Sequence, residues 1–170
     1  TSAPDKKHLL IMISYYDHKQ NVVPRPVIVC DKKGVDDPHD NGSLAIDDKG
    51  YIWVFVSGRN ISRPGQIYKS TEPYNIDSFE KVHETIMTYP QPWWINGKGF
   101  MHLFTKYTAK DTHGRELYWS TSPDGKTWSA DQKLAGIEGH YQISSARNNK
   151  VVTAFNYHPD GHADKRTNIY

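Results

Sequence analysis

The residues of this chain with the most chemistry to offer fall just before or just after short apolar runs. They are His39 and Asn41, Arg59 and Asn60, Lys106 and Tyr107, His140 and Tyr141, and Asn156, Tyr157 and His158. A guanidinium can neutralise a carboxylate, a neutral imidazole can accept a proton, and a phenol can return one. None of these roles needs a metal or paired carboxylates. Such a set suits β-elimination at a uronic acid, where the carboxylate is neutralised, the C5 proton removed and the leaving oxygen protonated.

The elements that must position these groups recur along the chain. Residues 43–57, SLAIDDKGYIWVFVS, read as two apolar strands joined by a tight Asp-Lys-Gly turn. Residues 93–104, WWINGKGFMHLF, and 143–155, ISSARNNKVVTAF, repeat the pattern. Tyr51, Phe100 and Val151 flank the three turns at a spacing of about 50 residues, and QIYKST is answered in step by ELYWST. A four-stranded antiparallel meander repeated at roughly 40–50 residues is the signature of a β-propeller blade. The expected fold is therefore all-β: a single propeller segment with a partial blade at 8–34, blades at 39–88 and 91–136, and a partial blade at 140–170. In the first unit, the runs at 8–17 and 26–30 align with the second and third strands of the next unit. About three blades cannot close a ring, so the remaining blades are expected from another segment of the same protein.

In such a blade the innermost strand leaves one face, turns at the other, and the second strand returns. The turns at 47–50, 96–99 and 148–150 then lie on the far face. The near face collects the His, Tyr, Arg, Lys and Asn residues named above from successive blades. That gathering suits a carbohydrate or uronate.

Composition narrows the partners. A formal net charge of +2 and no block of like charges argue against a nucleic-acid partner, while a mildly basic surface suits an acidic polymer. Aromatic residues make up 12% of the chain, favouring sheet over helix. Apolar runs are far too short for a membrane-spanning helix, so no membrane insertion is expected. Cys30 stands alone, without a partner for an internal disulfide, and reads as a small buried hydrophobe.

A turn after the third strand of the 91–136 unit reads Ser122-Pro123-Asp124-Gly125-Lys126-Thr127-Trp128. It resembles an Asp box in a form one residue shorter between Asp and Thr. Residues 38–55 (PHDNGSLAIDDKGYIWVF), GFMHLF, and residues 139–159 (GHYQISSARNNKVVTAFNYHP) resemble the BNR-repeat propeller family that includes ulvan lyases and a related rhamnosidase group. The resemblance implies a seven-bladed propeller acting on polysaccharide, in a secreted, periplasmic or cell-surface bacterial protein. It implies no required cofactor, and it points to His39 in the PHDN segment as the catalytic histidine. It further implies Tyr141 or Tyr157 as the acid, and Arg59 or Arg147 as the neutraliser. The family often carries a second histidine where this chain has Arg59.

Each of these residues also has a purely structural reading. His39 beside Asp and Asn equally suits a loop-capping network, and His140 with Tyr141 a packed corner. One of Trp93 and Trp94 fills the core, leaving the other to stack on a sugar ring. The short, loop-borne spacing of His158, Asp160 and His162 offers ligands for a structural calcium or zinc ion. Three functions compete: a lyase on an ulvan-like acidic polysaccharide, a rhamnosidase-like glycoside hydrolase, and a non-catalytic glycan-binding propeller.

Overall fold

A computed structural model describes residues 8–107, 114–135 and 139–158, with the side chains of Gly139 and His140 left aside. Every regular element among them is a strand. Two complete blades are present. The first is β3 (Gly42–Ile46), β4 (Ile52–Val56), β5 (Gly65–Ser70) and β6 (Phe79–Thr85); the second is β7 (Thr88–Ile95), β8 (Gly99–Tyr107), β9 (Arg115–Ser122) and β10 (Gln132–Lys133). A two-stranded sheet of β1 (His8–Ile13) and β2 (Val27–Lys33) precedes them, and a hairpin of β11 (Gly139–Arg147) and β12 (Lys150–Tyr157) follows. All pairings are antiparallel between consecutive strands, as a meander requires.

The hairpin turns form for local reasons. Asp47 Oδ1 accepts the backbone N–H groups of Lys49 and Tyr51 at 3.0 and 2.9 Å, and Gly50 follows at φ 83°. Asp47 Oδ2 accepts the Trp53 indole N–H at 2.9 Å, tying the turn to the strand it feeds. Gly97 and Gly99 supply φ values of 71° and 91° in the second hairpin, and Asn148 and Asn149 take 51° and 59° in the third.

The first unit departs from the sequence alignment. Lys32, at the end of β2, donates to the Ser57 carbonyl at 2.8 Å, beside the end of β4. Its partner strand β1 packs Ile11 against Gly42 and Val54. Hence β2 runs toward the same face as β4, and β1 in the sense of β3. The pair does not have the phase of second and third strands; the short connection at residues 34–41 feeds β3 directly and fixes its direction. A smaller shift occurs at the next boundary. β7 starts at Thr88, ahead of the expected residue 91, because a β-bulge between Thr88 and Gln91 extends the pairing.

Two cores hold the blades together. Ala45, Trp53, Phe55, Ile67, Met87, Phe100 and Phe104 fill one, between the two complete blades. Leu9, Ile11, Val29, Ile52, Val54 and Val56 fill the other, between the first sheet and β4. All five residues of β4 are buried, since both its faces are covered by neighbouring sheets. The Ser122–Trp128 turn closes the first core from outside: Asp124 Oδ1 accepts the N–H groups of Lys126 and Thr127 at 2.9 and 2.7 Å, and Trp128 packs on Phe55, Phe100 and His102. No helix among the described residues is long and apolar enough to cross a membrane.

Candidate functional site on the near face

The inner strands β3, β7 and β11 lie side by side, and their starting ends define the near face. β7 is pinned there to the end of β4: Tyr89 N–H donates to Ser57 Oγ at 3.1 Å, and Thr88 Oγ1 to the Gly58 carbonyl at 2.9 Å. β11 is pinned to β7 through Trp93, whose indole donates to Ser144 Oγ at 2.8 Å, and through Gln91, which bonds the Gln142 carbonyl and Ser144.

Both β7 and β11 open with a bulge, and at each bulge a tyrosine sits in the left-handed region, Tyr89 at φ 51° and Tyr141 at φ 50°. Such a conformation costs a non-glycine residue about 1–2 kcal/mol. It re-aims both side chains, and the rings meet at 5.9 Å between centroids. The His39 ring lies 6.4 Å from that of Tyr89, edge to face. Asn41 and Gln142 complete a cleft of about 350 Å³ beside the two tyrosines.

Asp37 organises the charged side of this group. Its Oδ1 accepts His39 Nδ1 at 2.6 Å and the His39 backbone N–H at 3.1 Å. Its Oδ2 accepts Arg63 at 2.6 Å and lies 3.6 Å from Arg59 Nε. Burial works to raise the Asp37 carboxyl, but the bonds from His39 and Arg63 and the charge of Arg59 outweigh it, holding it well below the usual carboxylate range. An ionised carboxylate at Nδ1 fixes that nitrogen as the protonated one and leaves Nε2 of a neutral ring as the acceptor. Arg63 also pairs with Asp40 at 3.1 Å, and fully buried Asp40 pairs with Lys32. This network anchors Asp37 to the core.

Arg59 and Arg115 flank the ring of Tyr107, their guanidinium carbons 5.2 and 5.1 Å from its centroid. The Tyr107 hydroxyl is buried with no hydrogen-bond partner among the described residues. Burial, then the neighbouring Tyr107 and Tyr141, push the Tyr89 phenol up, against the opposing charges of Arg59 and Arg115. It stays protonated at neutral pH.

Of the residues expected from sequence, His39, Arg59, Tyr107 and Tyr141 come together here, with Asn41 beside them. Asn60 shapes the loop presenting Arg59, its Oδ1 accepting Ser62 N–H and Oγ at 3.0 and 2.6 Å. His140 lies opposite Asn156 at the near-face end of β11, and Tyr157 and buried His158 close β12 at that end. Three residues lie elsewhere. Arg147 pairs with Lys150 at the far-face turn, because the strand has crossed the blade by that point. Lys106 points to the opposite side of β8 from Tyr107, where it bonds Asp131 and covers the Tyr118 ring at 4.8 Å. Trp93 is bound between inner strands, away from the near-face rim. Asp160 and His162 fall outside the described residues, and no group of three or more His, Cys, Asp or Glu among those described could hold a metal ion.

Sequence reasoning missed Asp37, Arg63, Tyr89 and Arg115. Asp37 carried a signal, an aspartate two residues ahead of a histidine, which commonly caps the intervening turn. Tyr89 carried none, since nothing in Thr-Tyr-Pro-Gln announces a bulge.

Four-stranded antiparallel blades with parallel inner strands and a polar cluster at their starting ends define a β-propeller. Residues 8–165 match the BNR repeat-containing family, and the chain belongs to it. No curated protein matches it in sequence. Among solved structures it is similar to an ulvan lyase described as a new family of polysaccharide lyase, bound to -[GlcA(1-4)Rha3S]-. The TM-score is 0.74 at 17% identity, over 94% of this chain and 45% of that one. A second ulvan lyase structure matches with a TM-score of 0.69 at 17% identity, over 86% of this chain and 40% of the other. The chain thus spans less than half the length of either.

Proposed function

We propose that the near-face cluster belongs to a polysaccharide lyase that cleaves a uronate-containing acidic polysaccharide by β-elimination. The observation that carries this reading is His39, held at Nδ1 by one oxygen of Asp37 whose other oxygen faces Arg59 and Arg63, with the Tyr89 ring 6.4 Å from its own and Tyr141 beyond it. Arg59, with Arg115, neutralises the uronate carboxylate and so makes the C5 proton acidic. His39 Nε2 removes that proton, and Tyr141 protonates the leaving oxygen, with Tyr89 at its side. Electrons from the broken C5–H bond form the C4–C5 double bond as the C4–O bond breaks. Every role is filled by a side chain of this chain. The family resemblance and the fold of the ulvan lyases support the same substrate class. Remaining blades from another segment of the same protein complete the ring, to seven. A polymer too large to enter a cell places the work outside the cytoplasm, in a secreted or surface-bound protein.

Paired carboxylates suited to glycoside hydrolysis are not offered by Asp37 and Asp40, since both are committed to Arg63. The deciding assay incubates the full-length protein with ulvan and follows the ultraviolet absorbance of unsaturated uronate ends. Their formation supports the reading; new reducing ends without that absorbance replace it with hydrolysis, and binding without either product with a glycan-binding role. His39→Ala is expected to lower turnover by at least about 10²-fold, the usual worth of a general base, while losing about 1.5 kcal/mol of stability with its bond to Asp37 and remaining folded. Full activity in that variant refutes the assignment.

A further inference from the structure

A single guanidinium serves two carboxylates behind His39. Arg63 Nη2 bonds Asp37 Oδ2 at 2.6 Å, while its Nε lies 3.1 Å from Asp40 Oδ2. The two acids differ in what else can hold them. Asp37 keeps 19% of its side-chain surface in solvent, receives His39 on its other oxygen, and has Arg59 Nε 3.6 Å away. Asp40 has none of its side chain exposed, and its Oδ1 has no hydrogen-bond partner among the described residues. A charge so enclosed depends entirely on the cations that reach it.

The other cation that reaches Asp40 comes from the preceding sheet. Lys32, at the end of β2, bonds Asp40 Oδ2 and the Ser57 carbonyl, with only 7% of its side chain exposed. With Lys32 in place, Asp40 is balanced and the hydrogen bond of Arg63 goes to Asp37. Without it, Asp40 would draw the guanidinium inward, because water can take over at Asp37 and has no access to Asp40. Stripped of that cation, Asp37 would hold a charged His39 ring more firmly.

We propose that Lys32 and Asp40 are positioning residues for His39: the buried pair keeps Arg63 on Asp37, and so sets how readily the ring accepts and releases a proton. The histidine of one blade is thereby adjusted by a lysine of the sheet before it. The proposal rests on the lyase reading for the use made of that proton, and the electrostatic link stands apart from it. The charged and titratable groups facing the ring are Asp37 in its own loop, Arg59 and Arg63 from the β4–β5 connection, and Tyr89 at the start of β7, with Tyr141 beyond. All of them stay in place in the variants that test the link.

The test follows the His39 ring by nitrogen NMR as a function of pH in the full-length protein, in wild type, Lys32→Met, Asp40→Asn and the double variant. Lys32→Met is expected to raise the midpoint at which the ring charges by about one unit, the low end of what a neighbouring charge does. Asp40→Asn is expected to lower it by about half as much, since Arg63 then belongs to Asp37 alone and Lys32 is left uncompensated. The double variant, balanced in charge again, is expected within about 0.3 unit of wild type. Loosened packing would move both single variants the same way. Breaking a buried ion pair can unfold a protein, and if Lys32→Met does not fold, Asp40→Asn and the double variant decide. Midpoints within about 0.3 unit of wild type in every folded variant overturn the proposal, as do single variants that shift together or a double variant displaced as far as either. In the ulvan assay the acid limb of kcat/KM should follow the His39 midpoint. A limb that stays put while the midpoint moves refutes His39 as the base and leaves the positioning role standing.

Discussion

Replacing Asp37 with Asn removes one charge and little else, which makes it a sharp probe of the site. Two short bonds converge on this carboxylate, from His39 and Arg63, each at 2.6 Å. A bond to a charged group is worth about 1.5–3 kcal/mol net, and Asp37 is 19% exposed, so the lower figure applies. Asn keeps one acceptor oxygen and therefore one of the bonds, which leaves an expected loss of about 1.5 kcal/mol. The pH dependence has a definite sign. The folded-state carboxyl titrates below its ordinary value of 3.8, so its stabilisation is complete above that value and is lost as pH falls from there through the folded-state value. Asp37→Asn should unfold earlier in urea at neutral pH and approach wild type in acid. Turnover adds a second reading. An amide at Nδ1 no longer dictates which ring nitrogen carries the proton; a fully buried triad loses about 10⁴-fold for this change, and His39 is half exposed, so about 10²-fold is expected. Nitrogen NMR of the His39 ring would report the mixed tautomers directly. A variant with wild-type stability at neutral pH, an unchanged ring spectrum and full turnover refutes the role given to Asp37.

Gly125→Ala places a Cβ 2.3 Å from the Trp53 ring at a φ of 72°, and should cost about 2–4 kcal/mol in urea unfolding; a loss below about 0.5 kcal/mol would show that the turn is not keyed to Trp53. Burial pushes the His102 imidazole, stacked at 4.5 Å on Phe104, down to about 3. As its ordinary value is 6.5, the unfolded chain binds a proton there that the folded chain refuses, so stability falls as pH drops from 6.5 toward 3. His102→Phe should flatten that part of the stability profile, and an unaltered slope counts against it. Tyr141→Phe should abolish formation of unsaturated ends while polymer binding persists; equal activity would move proton donation to Tyr89 or Tyr107.

The blade plan was legible because hairpins are written locally. Asp47, Gly50 and the continuous apolar run of β4 specify a turn and a strand without help from distant residues. The near-face placement of His39, Arg59, Tyr107 and Tyr141 followed from that plan. What the sequence hid depends on contacts across blades. Tyr89 reaches the site only through a bulge, whose backbone is held by Ser57 and Gly58 of the preceding blade. Lys106 is drawn away by Asp131, a partner just ahead of β10. The direction of β1 and β2 follows from the short connection at residues 34–41 into β3 and from the packing of Ile11 beside Gly42 and Val54, neither of which the repeat spacing on which the alignment rested records. Arg147 was misplaced for a simpler reason: it lies a full strand length beyond Tyr141, at the opposite end of β11.

The Ser122–Trp128 turn belongs to one blade, yet it closes the core of the blade before it, with Gly125 over Trp53 and Trp128 against Phe55. During synthesis the earlier blade therefore leaves the ribosome with a tryptophan and a phenylalanine still uncovered. It must wait for the later turn to emerge before its interior is sealed. Blades keyed in this order are finished one behind the other, and the growing chain carries an unsealed apolar face that a chaperone, or a neighbouring nascent chain, can find first.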